Sequence, residues 1–450
     1  MTDEANYATE ETNVKEFDRI IGYSEEKKEL MRIADALKNR EAYERLGVSA
    51  PRGLLLAGEP GVGKTLMATC LIEASGRRAF ICRKDQPNGE FIRTLKAIFE
   101  EAAGCAPSIV LLDDMDKFAN GDVSRRDAEE YVAVQACIDG IRGMDVFVLA
   151  TVNDTRALPR SLLRAGRFDR IMRIHAPRDA DAEQIIAHYL GGKRFVGKMD
   201  AALIARIMAG RSCAELETVI NEAGMFAGFE RSGEIGMEHF MAACMKTVFN
   251  VSDDPEPEDD DDEYWLALPG SSACSRACTV IHEAGHAVVA ELLSPGSVTL
   301  VCARGNGFEK GGFTSCTAVG RETPRQLTER RILGALGGMA AEELVLGAPD
   351  LGCASDLDDA FSIVRKLVCD LCAKGFQFYS TGDDSPELQA RQEQLIAAEV
   401  EGYYRRAKQL LHENREFLDK TAAALRRKGL LTMLDLRAIR RECACLMEAG

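Results

Sequence analysis

The stretch "GLLLAGEPGVGKTLMATCLIEA", residues 53–74, sets the terms for everything around it. A strand-sized apolar run, "GLLLA", leads into "GEPGVGKT" at 58–65, and the helical pattern of "LMATCLIEA" follows. The middle piece satisfies G-x-x-x-x-G-K-[ST], and a strand before it with a helix after it is the setting in which that spacing cradles phosphate. Gly58, Gly61 and Gly63 let the backbone wrap close to an anion with its N–H groups turned inward. Lys64 is placed to reach the β- and γ-phosphates and Thr65 to hold Mg²⁺, and the helix that opens there adds its positive end. Gly58, Glu59, Pro60, Gly61, Val62, Gly63, Lys64, Thr65 and Leu66 are the candidate cradle.

Such a cradle needs a second half, an apolar strand ending in an acid for the metal. "SIVLLDDMDK", residues 108–117, supplies it. Asp113 stands where a Mg²⁺ ligand belongs and Asp114 where a base for the attacking water belongs. A third strand-like run, "VFVLATVND", ends at Asn153, which is placed to orient that water. In this order the pieces imply a nucleoside triphosphatase that uses Mg²⁺. Further out, "RRAFIC" and "RIMRIHA" add two more strands. Residues 16–190 thus alternate strands with helical patterns, the mark of a parallel α/β sheet. Residues 180–248 are helical in pattern, with "AEQIIAHYL" and "CAELETVINEAGMFA" as the clearest segments.

"VSDDPEPEDDDDEYW", residues 251–265, divides the chain. Its acids repel one another and its prolines oppose helix, so it reads as a solvated linker. Beyond it most of 271–445 is helical in pattern, interrupted by the β-like, glycine-rich "SVTLVCARGNGFEKGGFTSC". "TVIHEAGHAVVAELL", residues 279–293, carries H-E-x-x-H. On a helix His282 and His286 share a face and can bind one Zn²⁺, with Glu283 as base toward a metal-bound water. The third ligand is open on spacing alone. The H-x-x-G-x-x-H extension is absent, because Val289 and Leu292 stand in its places, and Glu342, Glu343, Asp356, Asp358 and Asp359 are all candidates.

The 450 residues exceed one core, so two or three domains are expected. A formal net charge of −16 argues against a nucleic-acid surface and against anionic lipid. No apolar run reaches the roughly 18–20 residues of a membrane span. The acidic N-terminus resembles neither signal nor transit peptide, so a cytoplasmic location is expected. The 15 cysteines are expected to be reduced. Cys369 and Cys372 have C-x-x-C spacing and Cys274 and Cys278 lie four apart, but neither pair has a matching second pair.

"RGLLLAGEPGVGKT", "IVLLDDMDK", "ATVNDTRALPRSLLRAGRFDR" and "AELETVINEAGMFA" together resemble an AAA ATPase module. The resemblance implies arginine fingers in "LLRAGRFDR": Arg164 and Arg167 would reach the ATP site of a neighbouring subunit in a homohexameric ring, stabilising charge on the transferred phosphoryl group. With "HEAGHAVV", "GGMAAEELVLGAP", "GCASDLDDAFSIVRKLV" and "YYRRAKQLLHENREFLDKTAAAL", the chain resembles the FtsH-type ATP-dependent zinc metalloproteases, peptidase family M41, from about residue 16 to 445. That implies an α/β AAA+ P-loop domain with a helical lid, followed by a mainly α-helical zinc metallopeptidase domain. The boundaries expected are a polar tail at 1–15, a large α/β ATPase subdomain at 16–178, a lid at 179–250, an acidic linker at 251–267 and the peptidase at 268–450. It also implies that Asp356, after its "AS" turn, completes the zinc site with His282 and His286, that Glu283 is the catalytic base, and that proteins are the substrates.

Three departures from the family carry expectations of their own. The family's transmembrane helices ahead of the ATPase have no counterpart here, so a soluble member is expected. Asp114 replaces a Glu and is shorter by roughly 1.5 Å; a misplacement of ~1 Å can cost ~10²-fold in rate, so slow hydrolysis is expected unless the backbone shifts to compensate. The family's aromatic–apolar–Gly pore grip should fall between "RRAFICRKD" and "FIRTLKAIFEEA", where this chain has "QPNGE". Phe91, spaced with Leu95, Ile98 and Phe99, suits a helix packed on the core instead. The function expected is ATP-dependent zinc metalloendopeptidase. The alternatives are an ATP-binding ring or scaffold with slow hydrolysis, and a peptidase only weakly coupled to ATP.

Overall fold

The structure is a computed structural model that describes residues 15–48, 50–85, 87–119, 128–164, 166–195, 199–251, 272–304, 311–319, 323–380, 382 and 384–443. The expected tail up to residue 14 and the linker from 252 to 267 lie outside the described residues. The chain divides into two compact units, Met1–Ala243 and Cys244–Gly450.

In the first unit, helices α1 (Ser24–Lys38) and α2 (Arg40–Arg45) precede β1 (Gly53–Ala57), α3 (Lys64–Ser75), β2 (Arg78–Cys82), α4 (Asn88–Gly104), β3 (Ser108–Leu112), α5 (Glu129–Gly140), β4 (Val146–Val152) and β5 (Arg170–Arg173). All five strands coincide with the apolar runs named above. They form one parallel sheet in the order β2-β3-β4-β1-β5. β1, β3 and β4 are buried along their whole length, as a parallel sheet covered on both faces requires. Because β3, β4 and β1 are neighbours, Asp113, Asn153 and the glycine loop emerge side by side at their carboxyl ends. Helices α6 (Asp179–Leu190), α7 (Ala201–Ile207) and α8 (Cys213–Phe229) follow, and α9 (Met237–Thr247) runs through the division at Ala243. A capping box between Ser212 and Glu215 starts α8. Phe91 is 1% exposed and packs edge-on against Phe118, ring centroids 4.8 Å apart. It belongs to the core, as its helical spacing implied.

The second unit contains α10 (Ser272–Leu293), β6 (Val298–Cys302), β7 (Phe313–Cys316), α11 (Pro324–Leu346), α12 (Ala354–Arg365), α13 (Pro386–Glu413), α14 (Arg415–Lys428), β8 (Leu430–Thr432) and α15 (Met433–Glu442). The strands make a small antiparallel sheet, β7-β6-β8, with β7 at an edge. β8 was not foreseen; three residues carry too little alternation to be read. Ile281, Ala284, Val288 and Leu292 of α10 pack with Ile332, Leu333, Leu336 and Ala340 of α11 in one buried cluster. The two backbones nearly touch. A Cβ on Gly285 would lie 2.4 Å from the Gly337 carbonyl oxygen, and one on Gly337 2.9 Å from that of Gly285. Only glycine permits this approach, which carries α11 against the histidine face of α10. Among the described residues, no helix is long and apolar enough to cross a membrane.

Candidate nucleotide site and metal centre

The glycine loop has the backbone its sequence implied. Gly61 and Gly63 have φ of 80° and 94°, in the left-handed region where side chains are costly. Gly58 has no room for a Cβ, which would lie 2.0 Å from the Ile174 carbonyl oxygen. Val62 is buried; Glu59, Pro60, Thr65 and Leu66 are exposed. Ala214, at the start of α8, donates its N–H to the Gly61 carbonyl at 3.1 Å, so the lid reaches the loop.

Lys64 is 6% exposed, and its Nζ donates to the carbonyls of Gly58 (2.7 Å) and Glu59 (2.9 Å) and to Asn153 Oδ1 (2.9 Å). Burial lowers the Lys64 pKa, with Asp114, Asp116 and Asp113 opposing. Asn153 Nδ2 donates to Asp116 at 3.1 Å, which sets the amide's orientation. Asp113 is buried. Its Oδ1 accepts from Thr151 Oγ1 at 2.7 Å, and its Oδ2 accepts from Arg83 Nε at 2.8 Å and pairs with Arg83 Nη2 at 2.7 Å. Asp114 has a φ of 54°, and its carboxylate accepts from Lys117 Nζ at 2.6 Å.

The two arginines expected to act as fingers differ. Arg164 is exposed. Arg167 is held within its own chain, by Asp139 at 2.7 Å, Gln135 at 3.0 Å and the Ser161 carbonyl at 2.6 Å.

In the second unit His282 and His286 lie one turn apart on α10 with their Nε2 atoms 2.8 Å from each other. Asp356, near the start of α12, brings Oδ2 to 3.0 Å from His282 Nε2 and 3.5 Å from His286 Nε2. The far side of each ring is fixed. His286 Nδ1 lies 2.7 Å from the Gly334 carbonyl oxygen, and His282 Nδ1 lies 3.0 Å from Glu342 Oε1. Both partners are acceptors, so each Nδ1 directs its hydrogen outward and each Nε2 faces inward, where it can offer a lone pair to a metal once it carries no proton. Three potential metal ligands therefore converge on one point. For a tetrahedral zinc ion with ~2.0–2.2 Å bonds, ligand atoms sit roughly 3.3 Å apart. The observed sides of 2.8, 3.0 and 3.5 Å bracket that spacing, so the residues fit the metal.

A second acid–thiol set, Glu342 and Cys353 with His282 Nδ1, also meets the distance requirement for a metal. Protons already satisfy it: Cys353 Sγ donates to Glu342 Oε2 at 3.2 Å, and the Asp350 N–H donates to the same oxygen at 2.6 Å. It serves to orient His282.

Glu283 is 5% exposed and accepts from Thr314 Oγ1 at 2.8 Å. Burial raises its carboxyl pKa; His286 and the Thr314 hydroxyl oppose. Gly312 gives it room, since a Cβ there would lie 2.6 Å from Glu283 Cγ. Gly338 does the same for His282, 2.5 Å from whose Cε1 a Cβ would fall. Both histidines, Glu283 and Asp356 line one cleft of about 820 Å³.

Of the candidate third ligands, Asp356 joins the histidines. Glu342 orients one of them, Glu343 pairs with Tyr404 and Lys408, and Asp358 and Asp359 are exposed. Reading the sequence missed Arg83, Thr151 and Asp116 at the first site. At the second it missed Thr314, Cys353 and the Gly334 carbonyl, which works through backbone and leaves no side-chain signal.

Fold and site together define a phosphate-loop ATPase unit and a H-E-x-x-H metallopeptidase unit on one chain. Residues 54–176 match the model of the ATPase family associated with various cellular activities, AAA, and residues 271–439 match that of peptidase family M41. The chain is 31% identical over 445 residues to the ATP-dependent zinc metalloprotease FtsH of Pelobacter propionicus, covering 91% of this chain and 68% of that protein. It is 30% identical to the FtsH of Thermus thermophilus, covering 94% and 70%. Against the FtsH of Ureaplasma parvum the identity is 31%, covering 93% and 59%. The chain belongs to the FtsH family of AAA-type zinc metalloproteases.

Proposed function

We propose that the chain is an ATP-dependent zinc metalloendopeptidase that degrades proteins, with His282, His286 and Asp356 as metal ligands and Glu283 as catalytic base. The observation that carries this reading is the convergence of two imidazole nitrogens and a carboxylate oxygen in an open cleft beside a buried carboxylate. Bound zinc would supply a Lewis acid that polarises the scissile carbonyl and makes a water acidic. Glu283 takes the proton of the attacking water and returns it to the leaving amine, and Thr314 holds the carboxylate for both transfers. A raised Glu283 pKa suits a group that must accept and then release a proton. β7 is an outer strand of its sheet, and among the described residues no strand pairs with its far side, so an extended peptide can add there as a further strand beside Glu283.

At the other site the loop N–H groups and Lys64 cradle the phosphates, Asp113 faces the metal, Asp114 the water, and Asn153 aligns them. ATP turnover feeds the peptidase. Arg164 acts on a neighbour's nucleotide in a homohexameric ring, and Arg167, tied to α5, braces the segment that presents it. A cytoplasmic location completes the proposal, in keeping with the described cysteines, which are all free thiols.

The test is degradation of casein with and without ATP. Wild type should degrade it with ATP, Glu283→Gln should lose cleavage and keep nucleotide binding, and Lys64→Ala should lose both nucleotide binding and ATP-stimulated cleavage. Folded, zinc-loaded wild type that leaves casein intact would refute the reading.

A further inference from the structure

Asp113 is the acid that the nucleotide site offers to a metal, yet both of its oxygens are engaged. Thr151 Oγ1 holds Oδ1 at 2.7 Å. The Arg83 guanidinium grips Oδ2 through Nε at 2.8 Å and Nη2 at 2.7 Å. The two residues reach this pairing from adjacent strands. Arg83 follows β2, Asp113 follows β3, and the register Cys82↔Leu112 sets them side by side at the carboxyl edge of the sheet. Asp113 is buried while the Arg83 side chain is 61% exposed, so the carboxylate is fixed and the guanidinium can leave it without crossing the core. A guanidinium hydrogen-bonded to a buried carboxylate is a charge-assisted pair, stronger than a neutral hydrogen bond.

We propose that Arg83 is a built-in counter-ion of the nucleotide site: it shares Asp113 Oδ2 with Mg²⁺ by exchange and so sets how strongly nucleotide binding depends on that metal. The proposal rests on the reading of this site as one for ATP and Mg²⁺. Two consequences of opposite sign follow. Arg83 neutralises Asp113 when ATP arrives without metal, which favours binding of the bare polyphosphate. It also has to be displaced when ATP arrives with Mg²⁺, which disfavours that complex. Removing it should weaken the first and strengthen the second.

The experiment is equilibrium binding of a fluorescent ATP analogue to the full chain, in EDTA and across a Mg²⁺ titration. It compares wild type, Arg83→Ala, Arg83→Lys and, as the binding-null control, Lys64→Ala. In Arg83→Ala the ratio of affinities with and without Mg²⁺ should rise by about tenfold, the scale of a hydrogen-bonded charge at a buried partner. The half-saturating Mg²⁺ concentration should fall. Arg83→Lys, which keeps the charge and loses the fork, should lie between, and a general loss of folding would lower both affinities and leave the ratio unchanged. Wild type that binds the analogue with a ratio unmoved by Arg83→Ala overturns the role of Arg83 and leaves the nucleotide site standing. Wild type that binds no analogue in either condition overturns both.

Discussion

His282 Nε2 and His286 Nε2 stand 2.8 Å apart, while the Nδ1 atoms of the two rings face Glu342 and the Gly334 carbonyl. Two nitrogens at that distance repel unless a proton or a metal ion lies between them and Asp356. The peptidase site is thus arranged from behind: Glu342 and Gly334 of α11 hold the Nδ1 sides, and so turn each Nε2 toward Asp356. The glycine contact between α10 and α11 is what lets α11 come near enough to do so.

Glu342 should therefore matter for metal binding without being a ligand. Loss of such a ring-orienting partner typically costs about 10–100-fold in metal affinity. Glu342→Ala is expected to weaken zinc by that factor in a chelator competition, with Glu342→Gln milder because its amide oxygen still accepts. An unchanged zinc affinity in Glu342→Ala would show that the tautomer of His282 is set in some other way.

Metal capture should rise with pH. Burial alone would lower the His282 pKa, but hydrogen bonds to Asp356, Cys353 and Glu342 outweigh it and raise the imidazole above its ordinary value. A raised pKa means that a proton is held at pH values where a free imidazole has lost it, and this proton must leave before the lone pair serves a metal. The apparent zinc affinity should fall on acidification, by about tenfold per pH unit where one proton is exchanged. Equilibrium dialysis across a pH series reads the slope; a flat profile contradicts it.

Lys117 should restrain ATP turnover. It holds the Asp114 carboxylate at 2.6 Å, and Asp114 is already shorter than the glutamate of the family. Both side chains are largely exposed, so the pair is weak, and its removal is worth about two- to fivefold in rate. Steady-state ATPase measurements on Lys117→Ala should show kcat raised by that factor. A kcat equal to or below that of wild type would mean that Asp114 does not act through this carboxylate.

Arg164 and Arg167 should separate in their effects. Arg164 is exposed and available to a neighbour, so Arg164→Ala is expected to lower ATP turnover by about 10³-fold with nucleotide binding and thermal stability retained. Arg167 ties Ser161 to Asp139 and Gln135, so Arg167→Ala should also lower the Tm. Equal losses of Tm in both variants would contradict this division of roles.

The sequence revealed most where a residue acts through its own side chain in a local pattern. The five strands of the first unit, the glycine loop and the H-E-x-x-H helix all announce themselves within about a dozen residues. What stayed hidden depends on which strands or helices become neighbours. Thr151 reaches Asp113 only because β3 and β4 pair in one particular register, and Arg83 does so only because β2 ends beside β3. Asp356 lies 74 residues from His282, and spacing alone did not separate it from Glu342, whose actual place is behind the ring. The backbone carbonyl of Gly334 has no sequence signature at all.

The most direct measurement is the zinc content of purified wild-type chain beside that of Asp356→Ala, with folding of both confirmed by circular dichroism. A three-ligand site of this kind should retain about one zinc per chain in wild type and lose nearly all of it in the variant. Folded wild-type protein that takes up no zinc from a replete buffer, or an Asp356→Ala variant that holds zinc as tightly as wild type, would contradict the account.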